Sequence, residues 1–133
     1  MDINELLLKA EQGDTNAQLQ LGLYYKGLVN TNENLQKAFY WFEKASKSRE
    51  PLPCFYLAEC YTYGYGVQEN LNMGFYWYKV AGTKKYAPAQ YQVGYFYYNG
   101  IVEKKSVKNA ISWWVKASKQ GDINACYMLA KMK

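Results

Sequence analysis

A chain of 133 residues that is half hydrophobic and 18% aromatic carries enough apolar material for one compact domain with a continuous core. Histidine is absent, and no Ser-x-x-Lys, phosphate-binding glycine loop or convergent carboxylate pair stands out, so no catalytic residue, metal ligand or cofactor site is assigned. The net charge of +5 is uneven: residues 1–78 hold 6 Lys+Arg against 9 Asp+Glu, whereas residues 79–133 hold 10 against 2, which raises the prospect of an acidic partner surface.

The first predicted helix, near 2–12, ends at Gly13. Before it there is no basic n-region, Leu6-Leu7-Leu8 is too short for a signal-peptide core, and no later stretch reaches membrane-span length, so a cytoplasmic protein with no membrane partner is expected. Asp14 then caps a helix near 15–27. Further helices follow near 35–47, 52–64, 71–82, 87–99, 107–119 and 123–132. Asn34, Asn70 and Ser106 stand as N-caps of the second, fourth and sixth of the helices that follow the first. Gly27, Gly64, Gly66 and Gly100 mark turns in which a left-handed residue is expected.

These elements repeat. Trp41, Trp77 and Trp113 lie 36 residues apart, each followed four residues on by Ala45, Ala81 or Ala117. The pairs Leu21-Gly22, Leu57-Ala58, Val93-Gly94 and Leu129-Ala130 keep the same period. Small residues recur where helices must approach closely, and large ones recur where they fill the space between. The three tryptophans are therefore assigned to the core. Cys54, Cys60 and Cys126 are expected as free, small, buried side chains, because Cys54 and Cys126 sit two periods apart and Cys54 and Cys60 point in different directions along one helix.

The unit Ala-x-x-x-Leu-Gly-x-x-Tyr-x-x-Gly-x-Gly-Val, followed by Ala-x-x-Trp-x-x-x-Ala, resembles the SEL-1-like repeat, a relative of the tetratricopeptide repeat. The second copy carries the turn as Leu57-Ala58, Tyr61, Gly64, Gly66 and Val67. The third carries Ala89, Val93-Gly94, Tyr97, Gly100, Ala110, Trp113, Ala117 and Gly121. Departures are Pro53 and Gly74 in place of alanines, and Arg49 and Lys85 in place of the inter-unit glycine. The resemblance implies an all-α, right-handed α-solenoid spanning 1–133 as one domain: a cap helix at 2–12, repeats at about 14–49, 50–85 and 86–121, and a terminal cap helix at 123–132. It also implies an adaptor or scaffold that holds another protein; some bacterial members serve as immunity partners of secreted toxins.

In related tetratricopeptide arrays the first helix of each pair lines the concave side. On that stripe lie Gln20 and Leu23 in the first copy, Tyr56, Glu59 and Tyr63 in the second, and Gln92, Tyr95 and Asn99 in the third, a mixture of aromatic anchors and amides suited to binding protein. Sideways packing of Tyr56 and Tyr95 against adjacent helices is the competing assignment. Lys84, Lys85, Lys104, Lys105 and Lys108, with Lys116 and Lys119 beyond them, form a candidate basic patch for nucleic acid or another acidic ligand. Its aromatic neighbours follow the core period, so stacking on single-stranded nucleic acid is not specifically indicated. A third reading, an enzyme acting on cell-wall ligands, lacks the paired cysteines that such relatives carry in each unit. The leading expectation is a non-catalytic protein-binding scaffold, with an immunity protein as its concrete version.

Overall fold

A computed structural model describes residues 2–132. Among them are eight α-helices and no strand: α1 (Ile3–Glu11), α2 (Thr15–Lys26), α3 (Asn32–Ala45), α4 (Pro51–Tyr63), α5 (Leu71–Thr83), α6 (Ala87–Asn99), α7 (Val107–Ser118) and α8 (Ile123–Lys131). A 3₁₀ turn, Ser46–Ser48, prolongs α3. The pairs α2–α3, α4–α5 and α6–α7 pack within themselves and onto the next pair, with α1 and α8 at the ends, giving the expected all-α right-handed superhelix.

Local chemistry sets the helix ends. Carboxylates of Asp2, Asp14 and Asp122 accept from Glu5, Ala17 and Ala125 N–H groups at 2.9 Å, while Asn70 and Ser106 accept from Met73 and Asn109 at 3.1 Å. Each such cap stabilises its helix by about 1 kcal/mol. α4 and α6 have no side-chain cap and begin instead with proline in the first turn, where its missing N–H costs nothing. Asn34 is not the cap of α3. That helix starts earlier, at Thr31, whose hydroxyl accepts from the Asn34 N–H at 3.2 Å, and the Asn34 side chain turns back to donate to the Val29 carbonyl at 2.9 Å.

Gly64, Gly66 and Gly100 adopt the left-handed conformation, whereas Gly27, at φ −81°, does not. The first turn closes with a right-handed residue because its glycine comes one position early in the repeat. At Gly66 the requirement is doubly strict: a Cβ there would run into the Leu35 carbonyl. The matching residue one period on is Val102, a β-branched side chain held at φ 70°, and Arg49 and Lys85 likewise take the left-handed role that Gly13 and Gly121 fill elsewhere.

The deepest core column is not the periodic tryptophan. Phe42, Tyr78 and Trp114, one position further on, are fully buried, whereas Trp41 is buried and Trp77 and Trp113 are only partly so. The reason lies across the pair. Gly22 and Gly94 leave no room for even a methyl group against the rings of Phe42 and Trp114, so the small residue of the first helix seats the aromatic of the second. The three tryptophans lie toward the margin, their rings approached by Lys44, Arg49 and Lys116 at 6.0, 5.5 and 4.4 Å.

Neighbouring units are also joined by side chains. Gln18 donates to the Ala10 carbonyl and Gln90 to the Gly82 carbonyl, both at 3.0 Å, satisfying carbonyls near the end of the preceding helix. Cys54 and Cys126 occupy this column in the other copies. All three cysteines are free, and Cys54 and Cys60 are buried, with burial pushing the Cys60 thiol up to about 12. Cys126 is exposed, because the last helix has no following unit to cover it among the described residues.

Candidate partner-binding face

The stripe expected to contact a partner lies on α2, α4 and α6, the first helices of the three pairs. Its positions share the 36-residue spacing of the core but not its identity: leucine, glutamate and tyrosine occupy one column at Leu23, Glu59 and Tyr95. Tyr63 is 52% exposed and Tyr95 is 41% exposed, large aromatic surfaces left in water. Tyr56, Glu59 and Gln92 are half-buried, and Gln20, Leu23 and Asn99 are exposed.

The second and third copies converge. Thr62, Tyr63, Leu71, Tyr91, Gln92 and Tyr95, with Phe96 and Ile101, line one cleft of about 260 Å³ between α4 and α6. Tyr63 packs 5.5 Å from Tyr65, and Tyr91 lies 6.4 Å from Tyr95. One helical turn back along α4 stands Glu59. Its burial raises the carboxyl above the ordinary range, and Lys26 of α2 only partly offsets this. Burial raises the phenols of Tyr63, Tyr78 and Tyr86, and the nearby Glu59 charge adds to each.

Tyr56 packs sideways: one face stacks on Phe42 at 5.2 Å, and Lys26 stands over the ring at 5.9 Å. Gln20 and Leu23 have no recorded bond into the α4–α6 cluster, and Asn99 turns its amide back to the Tyr95 carbonyl at 2.9 Å. The aromatic members of the stripe, Tyr56, Tyr63 and Tyr95, all lie on α4 and α6.

Sequence reasoning passed over Lys26, Tyr78, Tyr86 and Tyr91. Two of them carried a signal. Tyr86 breaks a column of acidic residues, Asp14, Glu50 and Asp122, and Tyr78 is the one member of the Phe42 and Trp114 column with a hydroxyl. That hydroxyl is buried and makes no hydrogen bond. Thr62 beside it has its own hydroxyl committed to the Ala58 carbonyl at 2.7 Å.

Lys84 and Lys85 follow α5, and Lys104, Lys105 and Lys108 come after α6, with Lys79, Lys84, Val102 and Glu103 lining one cleft of about 510 Å³. Lys105 folds over Tyr98 at 5.4 Å. Lys85 instead joins Lys116 and Lys119 around Trp113, Gln90 and Gln120 in a cleft of about 710 Å³. Among the described residues, no helix is long and apolar enough to cross a membrane.

Comparison with known proteins agrees with this architecture. The family model described as Sel1 repeat matches residues 15–48, 54–86 and 87–122. The chain is 32% identical over 111 residues to the ERAD-associated E3 ubiquitin-protein ligase component HRD3B of Arabidopsis thaliana, covering 82% of this chain and 17% of that protein. It thus spans about a sixth of that relative. Among solved structures, the Escherichia coli protective antigen c5321, with an SLR fold, superposes with a TM-score of 0.87 at 30% identity, covering 94% of this chain and 27% of that one. A Sel1 repeat protein from Oxalobacter formigenes superposes with a TM-score of 0.85 at 30% identity, covering 98% of both.

Proposed function

This chain belongs to the Sel1 repeat family, and on that footing we propose that it is a scaffold holding a partner protein against the concave face of α2, α4 and α6. Sel1 repeat proteins generally mediate protein–protein interaction and are typically non-catalytic scaffolds. The observation that carries the reading here is the pairing of exposed Tyr63 and Tyr95 across one cleft, with Gln92 beside them. Rigid aromatic anchors flanked by amides are the usual centre of a protein-binding surface. The helices that present them are fixed by the core, so the partner meets a surface already formed.

The concrete role we assign is that of a cytoplasmic immunity protein, which occupies a toxin domain without chemistry of its own. Support comes from the free cysteines and from the opposed charge of the two halves, a pattern suited to electrostatic docking. Replacing Tyr56, Tyr63 and Tyr95 with alanine is expected to weaken capture of the native partner at least tenfold while helical content by circular dichroism stays unchanged. Unaltered capture would remove the face from the account.

A second reading is favoured by the cleft at Trp113, where Lys85, Lys116 and Lys119 surround an indole without an opposing carboxylate among its lining residues. An acidic ligand there would bind more weakly as salt rises, and Lys119→Glu would abolish that dependence.

A further inference from the structure

Resting on the reading of α4 and α6 as the contact face, the structure leaves one element of that face chemically incomplete. Glu59 is half-buried at its centre and forms no ion pair among the described residues. On the neighbouring helix α5, the hydroxyl of Tyr78 is fully buried without a hydrogen-bond partner, and the Glu59 charge bears on it. Tyr63 stands one turn along the helix, and Tyr86 lies close enough for the Glu59 charge to bear on its phenol. A half-buried carboxylate ringed by phenols is costly to leave ionised, and the rings around it carry negative π faces. Both features call for a cation.

The chain itself hints at the same preference. Lys26 reaches from the end of α2 over the Tyr56 ring at 5.9 Å and eases the Glu59 carboxyl, yet its ammonium stops short of an ion pair. We propose that the Glu59 position, one helical turn from the exposed Tyr63 on α4, receives an arginine side chain of the partner protein. A guanidinium suits it better than an ammonium. It offers two parallel N–H donors to a carboxylate, stacks its plane on tyrosine, and gives up its hydration more readily. The net −3 of residues 1–78 attracts such a partner from a distance, in contrast with the +8 of the remainder.

The test uses acetyl-hexaarginine amide as the probe, titrated into the whole protein carrying ¹³C-labelled glutamate. Saturable binding that shifts the Glu59 carboxyl resonance toward the ionised form, weakens at least tenfold in Glu59→Gln and is at least fivefold tighter than for hexalysine supports the proposal. Binding that weakens in the Tyr63→Ala, Tyr95→Ala double variant but not in Glu59→Gln overturns the arginine site and leaves the contact face standing. Binding indifferent to both variants, equal binding of hexalysine, or no binding overturns it as well. The contact face is then judged separately, by capture of the native partner. Circular dichroism and urea unfolding of Glu59→Gln and of Glu59→Asp show that any loss is not a loss of fold.

Discussion

Two columns of this molecule share one spacing and have opposite fates. Phe42, Tyr78 and Trp114 recur every 36 residues and are fully buried, each seated against Gly22, Ala58 or Gly94. Leu23, Glu59 and Tyr95 recur with the same spacing, and none of them is buried. In the first column every member is a large aromatic, because each copy must fill the same gap between paired helices. In the second, an apolar, an acidic and an aromatic side chain follow one another, because nothing inside the fold constrains them. Periodic position therefore separates what builds the solenoid from what is left over for a partner.

The contrast is broken most directly by truncation. Trp114→Ala is expected to cost about 3–5 kcal/mol in urea unfolding, since it removes a fully buried ring and its 3.1 Å hydrogen bond to the Tyr91 carbonyl. Tyr95→Ala, from the other column, should cost under about 1 kcal/mol. Equal losses would erase the distinction.

A smaller effect of opposite sign is expected at Val102. Its left-handed backbone is one that glycine accepts freely, as Gly66 does one period earlier, so Val102→Gly should raise stability by up to about 1 kcal/mol. A loss of stability would mean that the valine side chain holds the turn against α5 by contacts that outweigh the strain.

The smallest effect concerns Glu59 in the free protein. Burial raises its carboxyl above the unfolded value, so the folded state binds the proton more tightly. Its contribution to stability is then complete at pH values below the unfolded carboxylate range and is lost as pH rises through the folded pKa. Glu59→Gln should therefore be slightly more stable than the wild type at neutral pH, with the gap closing on acidification. A wild type more stable than Glu59→Gln at neutral pH, losing that advantage on acidification, would place Glu59 in a favourable ion pair and contradict its unpaired state.

The fold was legible because helix-pair packing forces the same letters to return: the period, the small residues and the aspartate caps all trace to backbone contact distances. Two details escaped that logic. Trp113 and Trp114 are adjacent indoles, and only the ring of Trp114 fits against Gly94, a relation between two helices that a single column does not reveal. Asn34 aligned with Asn70 and Ser106, yet Thr31 captured the cap three residues earlier because the first turn lacks a left-handed glycine.

The binding stripe was legible in outline, since it is what remains once the recurrent positions are removed. Its centre was not. Tyr91 follows from spacing, four residues before Tyr95 on α6, but Tyr86 precedes that helix and the buried Tyr78 hydroxyl belongs to α5, so neither of these two follows from spacing along α4 or α6.

The most direct test of the contact face is site-specific photocrosslinking in the native cell, with a photoreactive residue placed at Tyr63 or Tyr95 on one side and at Tyr76 or Ile111 on the other. All four positions are exposed in the free protein, so differences in yield report the partner alone. The account predicts a discrete adduct from positions 63 and 95 and none from 76 and 111. An adduct confined to 76 or 111 would put the partner on α5 and α7 and contradict it.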